Sequence, residues 1–375
     1  MVDIKTLVSL SNKYGSDPDF VLAGGGNTSA KDDDFLYVKG SGTTLATITA
    51  DGFVKMDRRK LDLLFTGTYP ADATLREAEV LADVMAARAP GEETKRPSVE
   101  TPLHHLFPQR YVVHTHPALV NGLTCSMGGP EAFDKLFADR AVWIPLTEPG
   151  YVLSVTVREA LEAYRADKGR DADLIFLQNH GVFVSGDTPE EIDAIYADVM
   201  STLSAQVSGA PDLSEPAADE AKVNALLGYF NALFTGSTVL FTANALTDAF
   251  VRDEDAFYPA SSVYTPDHMV YYKRAPLFIY DEPGADTFAN IRSGIADFEA
   301  HFGYAPRIIA IRGLGFFSIG DTKDTAEISR LLFIDTLKVA FYNKAFGGPL
   351  FMSDSMIDFI ENWEVESYRK KISEK

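Results

Sequence analysis

One cysteine, Cys125, stands in 375 residues, so no disulfide can form within the chain. A lone cysteine also suits a reducing compartment. Positive charge is the second shortage: 34 Lys and Arg face 54 Asp and Glu, a formal net charge of −20. Nucleic acid calls for a basic face, and this composition argues against it as a partner. It leaves room for a phosphorylated small molecule, which a local nest of donors can hold in an acidic protein. Long apolar runs are missing too; none approaches the roughly 18 residues that span a bilayer. Residues 1–12 show no basic-then-apolar leader pattern. These shortages read as a soluble, cytoplasmic protein with no membrane partner. What remains is ordinary globular composition, 46% hydrophobic and 23% charged, long enough for about two or three domains.

The most informative stretch is Tyr111-Val112-Val113-His114-Thr115-His116-Pro117. Three β-favouring residues lead into two histidines, and Pro117 stops the strand. Side chains two apart share a face of a strand, so His114 and His116 project together and can reach one ion. A third histidine, His180, stands at the tip of the apolar strand Leu174–Gln178, beside Gly181. Three histidines with an open fourth position form the pattern of a catalytic zinc. A lone His180 would read as structural; its value comes from joining His114 and His116.

Earlier in the chain, a helix over 3–14 precedes the run Gly24-Gly25-Gly26-Asn27-Thr28-Ser29, read as a glycine-rich loop. A strand over 35–39 feeds a second small-residue loop, Gly40-Ser41-Gly42-Thr43-Thr44. Together with Lys39, the two loops can form a nest for an anion. Taken alone, either loop reads more simply as a tight turn, since Gly/Ser loops are common. The spacing predicts a helix over 74–90. Thr101 reads as an N-cap and Pro102 as the first residue of a short helix to Phe107, with Glu100 at its mouth. His104 and His105 on that helix read as packing or solvated residues. Helices over 118–126 and 131–138, a strand over 141–146, and a helix from a Thr156 N-cap to 168 follow. A second strand, 182–185, leads to a helix that Thr188 caps and Pro189 opens, running to about 207. Residues 208–218, rich in Gly, Pro, Ala, Ser and Asp, read as a linker.

Beyond the linker lies a weak internal repeat. Leu174–Thr188 (LIFLQNHGVFVSGDT) and Ile308–Thr322 (IIAIRGLGFFSIGDT) are identical at six of fifteen positions, and a helix pattern follows each. In the second copy Leu314 replaces the histidine and no His-x-His precedes it, so this part reads as a related layer without metal. His268 and His301 lack partners at metal spacing and read as structural or surface residues.

Taken together, Gly24–Ser29, Lys39-Gly40-Ser41-Gly42, Pro97-Ser98-Val99-Glu100, His114-Thr115-His116-Pro117 and Asn179-His180-Gly181 resemble, in this order, the motifs of the class II aldolase/adducin family. The resemblance covers about residues 5–207. It is nearest to the aldolase part of bacterial bifunctional rhamnulose-1-phosphate aldolase/alcohol dehydrogenases, whose second region also carries segments like Thr265–His268 and Gly313–Gly315. The chain is expected to carry both regions without a dehydrogenase domain; the loop GGGNTS lacks the GxGxxG spacing. The family implies Zn2+, or another divalent cation, on His114, His116 and His180, with Glu100 as the catalytic acid/base. It implies a phosphorylated sugar held around Gly26, Asn27, Ser29, Lys39, Ser41, Gly42 and Ser98. The catalytic tyrosine of the simple family members has only Tyr151 as a candidate here, and the segment from Glu100 to His114 is shorter than theirs.

The chemistry suits these residues independently. Cleaving a C–C bond beside a carbonyl leaves an enediolate, whose charge a divalent cation can stabilise while Glu100 moves a proton at carbon. The expected activity is therefore a zinc-dependent lyase splitting a ketose 1-phosphate into dihydroxyacetone phosphate and an aldehyde. A sugar-phosphate 4-epimerase or a phosphorylated keto-acid decarboxylase would use the same residues. A zinc hydrolase and a non-catalytic, adducin-like binding module are the rivals from other classes. The expected fold is α/β, a mixed central sheet flanked by helices over 1–210, followed by a smaller, degenerate α/β region over 219–375. The family resemblance implies a homo-oligomer.

Overall fold

A computed structural model describes residues 2–216, 219–280 and 286–363. The chain divides into two compact units, one of Met1–Thr124 and Gly129–Gln206 with Trp363, the other of Cys125–Gly128 and Val207–Asn362.

The first unit is built on seven strands: β1 Asn27–Lys31, β2 Phe35–Lys39, β3 Phe53–Asp57, β4 Tyr111–Thr115, β5 Val142–Ile144, β6 Leu174–Leu177 and β7 Gly181–Gly186. They lie in the order β3-β2-β1-β4-β7-β6-β5, antiparallel throughout except for the parallel pair β5–β6. This is the expected mixed sheet. β4 is its centre, and all five of its residues are buried, so both faces must be covered. On one face Val112, Ile175 and Phe183 pack with Leu103 of helix Thr101–Leu106 and with Leu153 and Val157 of helix Tyr151–Lys168. On the other, Tyr196 of helix Pro189–Ser204 meets Thr115, its hydroxyl 2.9 Å from the Thr115 hydroxyl and donating to the Val113 carbonyl at 3.1 Å. Thr188 caps that helix by accepting from the Glu191 N–H, and Pro189 opens it, as the sequence predicts.

Several local expectations are corrected. The GGGNTS run is a loop only as far as Gly26; Asn27 opens β1, because its backbone finds a partner in β4. Strand β3 and helix Arg58–Leu63 carry too little periodicity to be read in advance. Thr156 is not an N-cap: its helix starts at Tyr151, and the Thr156 hydroxyl donates to the Val152 carbonyl. The Tyr151 N–H is instead met by the buried carboxylate of Glu77, a capping partner 74 residues away. Gly150, at φ 97°, allows that approach; a Cβ there would stand 2.2 Å from a Glu77 oxygen. Glu100, rather than Thr101, is the N-cap of the next short helix.

The second unit holds a four-stranded sheet, β8 Thr238–Thr242, β9 Leu277–Ile279, β10 Ile308–Ile311 and β11 Gly315–Gly320, in the order β8-β11-β10-β9. It repeats β4-β7-β6-β5 strand for strand, again with one parallel pair at the β9 edge. The registers agree as well. Tyr111 faces Gly186 and His114 faces Phe183; Thr238 faces Gly320 and Phe241 faces Phe317. The turn between the last two strands repeats its backbone. Asn179 and Gly313 are left-handed at φ 57° and 64°. Gln178 donates to the Ile144 carbonyl as Arg312 does to Ile279. Phe241, Ala243 and Leu314 thereby take the places of His114, His116 and His180. Phe241 and Leu314 pack with Phe317 in one apolar cluster. His268 is buried against Asp335 at 3.0 Å, a structural pair, and His301 is exposed.

The expected boundaries near 210 and 219 shift. The second unit begins at Val207, and residues 125–128 belong to it, because Met127 and Gly128 donate to the carbonyls of Gly348 and Phe346. Among the described residues no helix is long and apolar enough to cross a membrane. Removing the Tyr196 hydroxyl strips buried partners from Thr115 and Val113. Tyr196→Phe should cost about 1–3 kcal/mol, read as a lower midpoint in urea unfolding.

Candidate metal centre

His114 is the innermost ligand candidate, fully buried near the end of β4. Its Nδ1 lies 2.9 Å from the Val182 carbonyl, which can only accept, so the proton sits on Nδ1 and the Nε2 lone pair faces the site. Its ring stacks on Phe183, centroids 4.0 Å apart and 12° from parallel. His116, two residues on, shares its face, and the His116 N–H donates to the Phe20 carbonyl beyond the end of β4. His180 enters from the β6–β7 turn. The left-handed Asn179 makes that turn, and its N–H donates to the Thr124 carbonyl. Gly181 must lack a side chain, since a Cβ would sit 2.5 Å from the Thr115 oxygen and 2.6 Å from His116 Cδ2.

The three ring nitrogens converge, all within 4.8 Å of one another. His114 Nε2 is 2.9 Å from His116 Nε2 and 3.4 Å from His180 Nε2. A tetrahedral zinc with bonds near 2.0–2.1 Å separates its nitrogens by about 3.3 Å, so the donor set fits such an ion in type and spacing.

Glu100 joins this centre. Its Oε1 stands 3.4 Å from His114 Nε2 and 3.5 Å from His180 Nε2. Its Oε2 accepts from the Asn27 side-chain amide, and its backbone N–H donates to the Ser98 hydroxyl at 3.2 Å. Burial pushes the Glu100 carboxyl up, whereas the facing imidazoles of His114, His180 and His116, when they carry protons, hold it well below the usual carboxylate range. A divalent cation among the same nitrogens acts in the same direction.

The glycine loops meet beside these groups. Gly26 is left-handed at φ 68°, with the His114 carbonyl where a Cβ would go. Lys39 is buried, and its ammonium donates to the Gly24 carbonyl at 3.2 Å, tying one loop to the other. Ser41 donates its N–H to Arg96, and Ser98 its own to Lys39, so Gly26, Asn27, Lys39, Ser41 and Ser98 are brought together. Gly42, left-handed at φ 84°, is exposed on the same loop. Ser29 is not among them. It is fully buried, and its hydroxyl is 2.8 Å from His104 Nδ1. Tyr151 packs edge-on against Tyr69, centroids 4.7 Å apart, and lines a small cavity with Glu77, Val99, Pro102 and Trp363.

Sequence reasoning missed the residues that support the site. Val182 and Phe183 read as an ordinary strand, although their place directly after His180-Gly181 was a usable signal. Lys31 is fully buried, and its ammonium donates to the carbonyls of His104 at 2.5 Å and Phe107 at 2.6 Å, holding the end of the helix that Glu100 opens. Desolvation, aided by Arg58, pushes its pKa far down. His105 lies on the same helix, 2.8 Å from Asp62, and burial lowers its pKa to about 4.

A family model described as the class II aldolase and adducin N-terminal domain matches residues 5–203. A curated relative from Bacillus subtilis (strain 168), named as the uncharacterized oxidoreductase YuxG, is 25% identical over 409 residues, covering 98% of this chain. The chain spans 58% of that relative's length. Among solved structures, the N-terminal class II aldolase domain of a conserved protein from Thermoplasma acidophilum is 29% identical, covering 54% of this chain and 93% of that one, with a TM-score of 0.45. The L-fuculose-1-phosphate aldolase from Thermus thermophilus is 15% identical over 54% of this chain and 92% of its own, with a TM-score of 0.35.

Two measurements check this geometry. Gly181→Ala should weaken divalent-metal affinity by about 10–100-fold in a chelator competition, because the new methyl displaces His116. His105 has a folded pKa of about 4, below the 6.5 of a free histidine, so it takes up a proton on unfolding in that window. Its contribution is present above pH 6.5 and lost as pH falls toward 4. The urea midpoint should therefore drop between about pH 7 and 5 by less in His105→Gln than in the wild type.

Proposed function

Since the chain belongs to the class II aldolase and adducin family, we propose that it is a metal-dependent carbon–carbon lyase that reversibly splits a ketose 1-phosphate into dihydroxyacetone phosphate and an aldehyde. The observation that carries this reading is one juxtaposition: three imidazole nitrogens within 4.8 Å of one another, with the free oxygen of Glu100 3.4 Å from the innermost of them. His114, His116 and His180 hold the ion, which we take to be zinc or another divalent cation. When bound, it supplies Lewis-acid polarisation of the substrate carbonyl and offsets negative charge beside it. Glu100 carries the proton that the three-carbon fragment gains on cleavage and gives up on condensation. The Gly26 and Ser41-Gly42 loops, with Lys39 and Ser98, bind the phosphate away from the reacting bond, and that binding energy holds the substrate in place.

The oxidoreductase name of the longer relative is not carried over. The groups gathered here are imidazoles, a carboxylate and a donor-rich loop pair, which suit proton transfer next to a polarised carbonyl. The single, buried cysteine, which is in no disulfide, suits a reducing compartment, and we place the reaction in the cytoplasm.

Metal content and product release test the proposal together. The wild type should hold about one zinc per chain and release dihydroxyacetone phosphate from at least one ketose 1-phosphate in a stereochemical panel. His116→Ala should lose both. Glu100→Gln should keep the metal while kcat falls by about 10²–10⁴-fold. Zinc bound without release of two fragments from any member of the panel would leave the site standing and overturn the lyase.

A further inference from the structure

The two oxygens of Glu100 have different partners. Oε1 faces His114 and His180 at 3.4 and 3.5 Å, whereas Oε2 is taken by the side-chain amide of Asn27. Asn27 is a rigid partner. It opens β1, its Cα pairs with that of His114 across the β1–β4 ladder, and it is 8% exposed. Gly26 before it is locked in a left-handed turn against the His114 carbonyl. The donor therefore belongs to the same backbone frame as the metal strand. The carboxylate it meets sits on a different element, the start of helix Thr101–Leu106.

From this geometry we propose that Asn27 is a positioning residue for Glu100: its amide pins Oε2 so that Oε1 alone is presented to the metal centre. The inference rests on the lyase reading above and adds to it, since the resemblance alone gives Asn27 to the substrate phosphate. The physical reason is direct. A buried carboxylate beside a divalent cation is drawn to it with both oxygens, and a carboxylate held that way is a poor proton carrier. An amide N–H on one oxygen satisfies that oxygen in a site where an unpaired one is costly. It also fixes the plane of the group, leaving the second oxygen for ion or substrate.

The test uses the full chain with cobalt(II) in place of the resident ion, since the visible bands of cobalt report its ligands without turnover. Asn27→Leu keeps similar bulk and removes the donor. Its cobalt spectrum without substrate should differ from the wild type, and the difference should vanish when Glu100→Gln is already present, because both act through one carboxylate. In the native-metal enzyme, Asn27→Leu should lower kcat by about 10–100-fold, in line with other residues that orient a metal-site group, while KM for the ketose phosphate moves less. Asn27→Asp, which keeps the shape and replaces the donor by an acceptor, gives the same reading should the leucine variant fail to fold. An unchanged cobalt spectrum, with KM raised and kcat kept, would assign Asn27 to the phosphate and overturn the inference alone. A protein that takes up no cobalt would overturn the metal reading and the inference with it.

Discussion

The antiparallel register of β4 on β7 is the constraint on which the centre depends. It sets His114 opposite Phe183, brings the Val182 carbonyl to His114 Nδ1, and places the β6–β7 turn, with His180, beside the end of β4. Alternation along β4 sends Val112 and His114 to one face and Val113 and Thr115 to the other, where Tyr196 waits. A slip of one residue would turn His114 into the Tyr196 layer and empty the site. Burial on both faces makes such a slip costly, because Val112 and Val113 are each fully buried against different helices. The core thus fixes the chemistry: what holds the sheet in register also aims the imidazoles.

The second unit shows the same frame without the ligands. Its strands repeat the order and register of β4 to β7, its turn repeats the left-handed residue, and even the backbone donors of the turn correspond. Where the first unit has three imidazoles, the second has Phe241, Ala243 and Leu314, and Phe241 and Leu314 join one apolar cluster. The scaffold therefore does not need the ion to form, since the same ladder closes around hydrocarbon. It also explains why Phe183 and Phe317 occupy matching places: each lies across the ladder from the residue at the metal-facing position, His114 in one unit and Phe241 in the other.

Much of this was legible in the chain itself. The His-x-His spacing at a strand end, the Pro after it and the Gly beside His180 follow from strand alternation and from glycine's freedom, both local properties. The repeat was visible because both copies keep the strand–turn–strand glycines and the Asp-Thr cap. What could not be read depended on partners distant in sequence. Asn27-Thr28-Ser29 looks like loop chemistry, yet β4 recruits it as a strand, and alternation then buries Ser29 against His104. The helix at Tyr151 starts well before its apparent cap because Glu77, on another helix, supplies the acceptor. Residues 125–128 join the second unit through hydrogen bonds to 346–350 that no composition shift announces. Lys31 hides its role for the same reason: a lysine in a polar-looking run becomes the buried clamp on a helix end.

The central claim is that His114, His116 and His180 hold one divalent cation with Glu100 beside it. X-ray absorption at the zinc edge on the loaded protein tests it most directly. The predicted result is one ion per chain, ringed by three imidazole nitrogens at about 2.0–2.1 Å with oxygen completing the shell, and loss of the imidazole signature in His114→Ala. An ion surrounded by oxygen alone, or an imidazole count unchanged by that substitution, would contradict it.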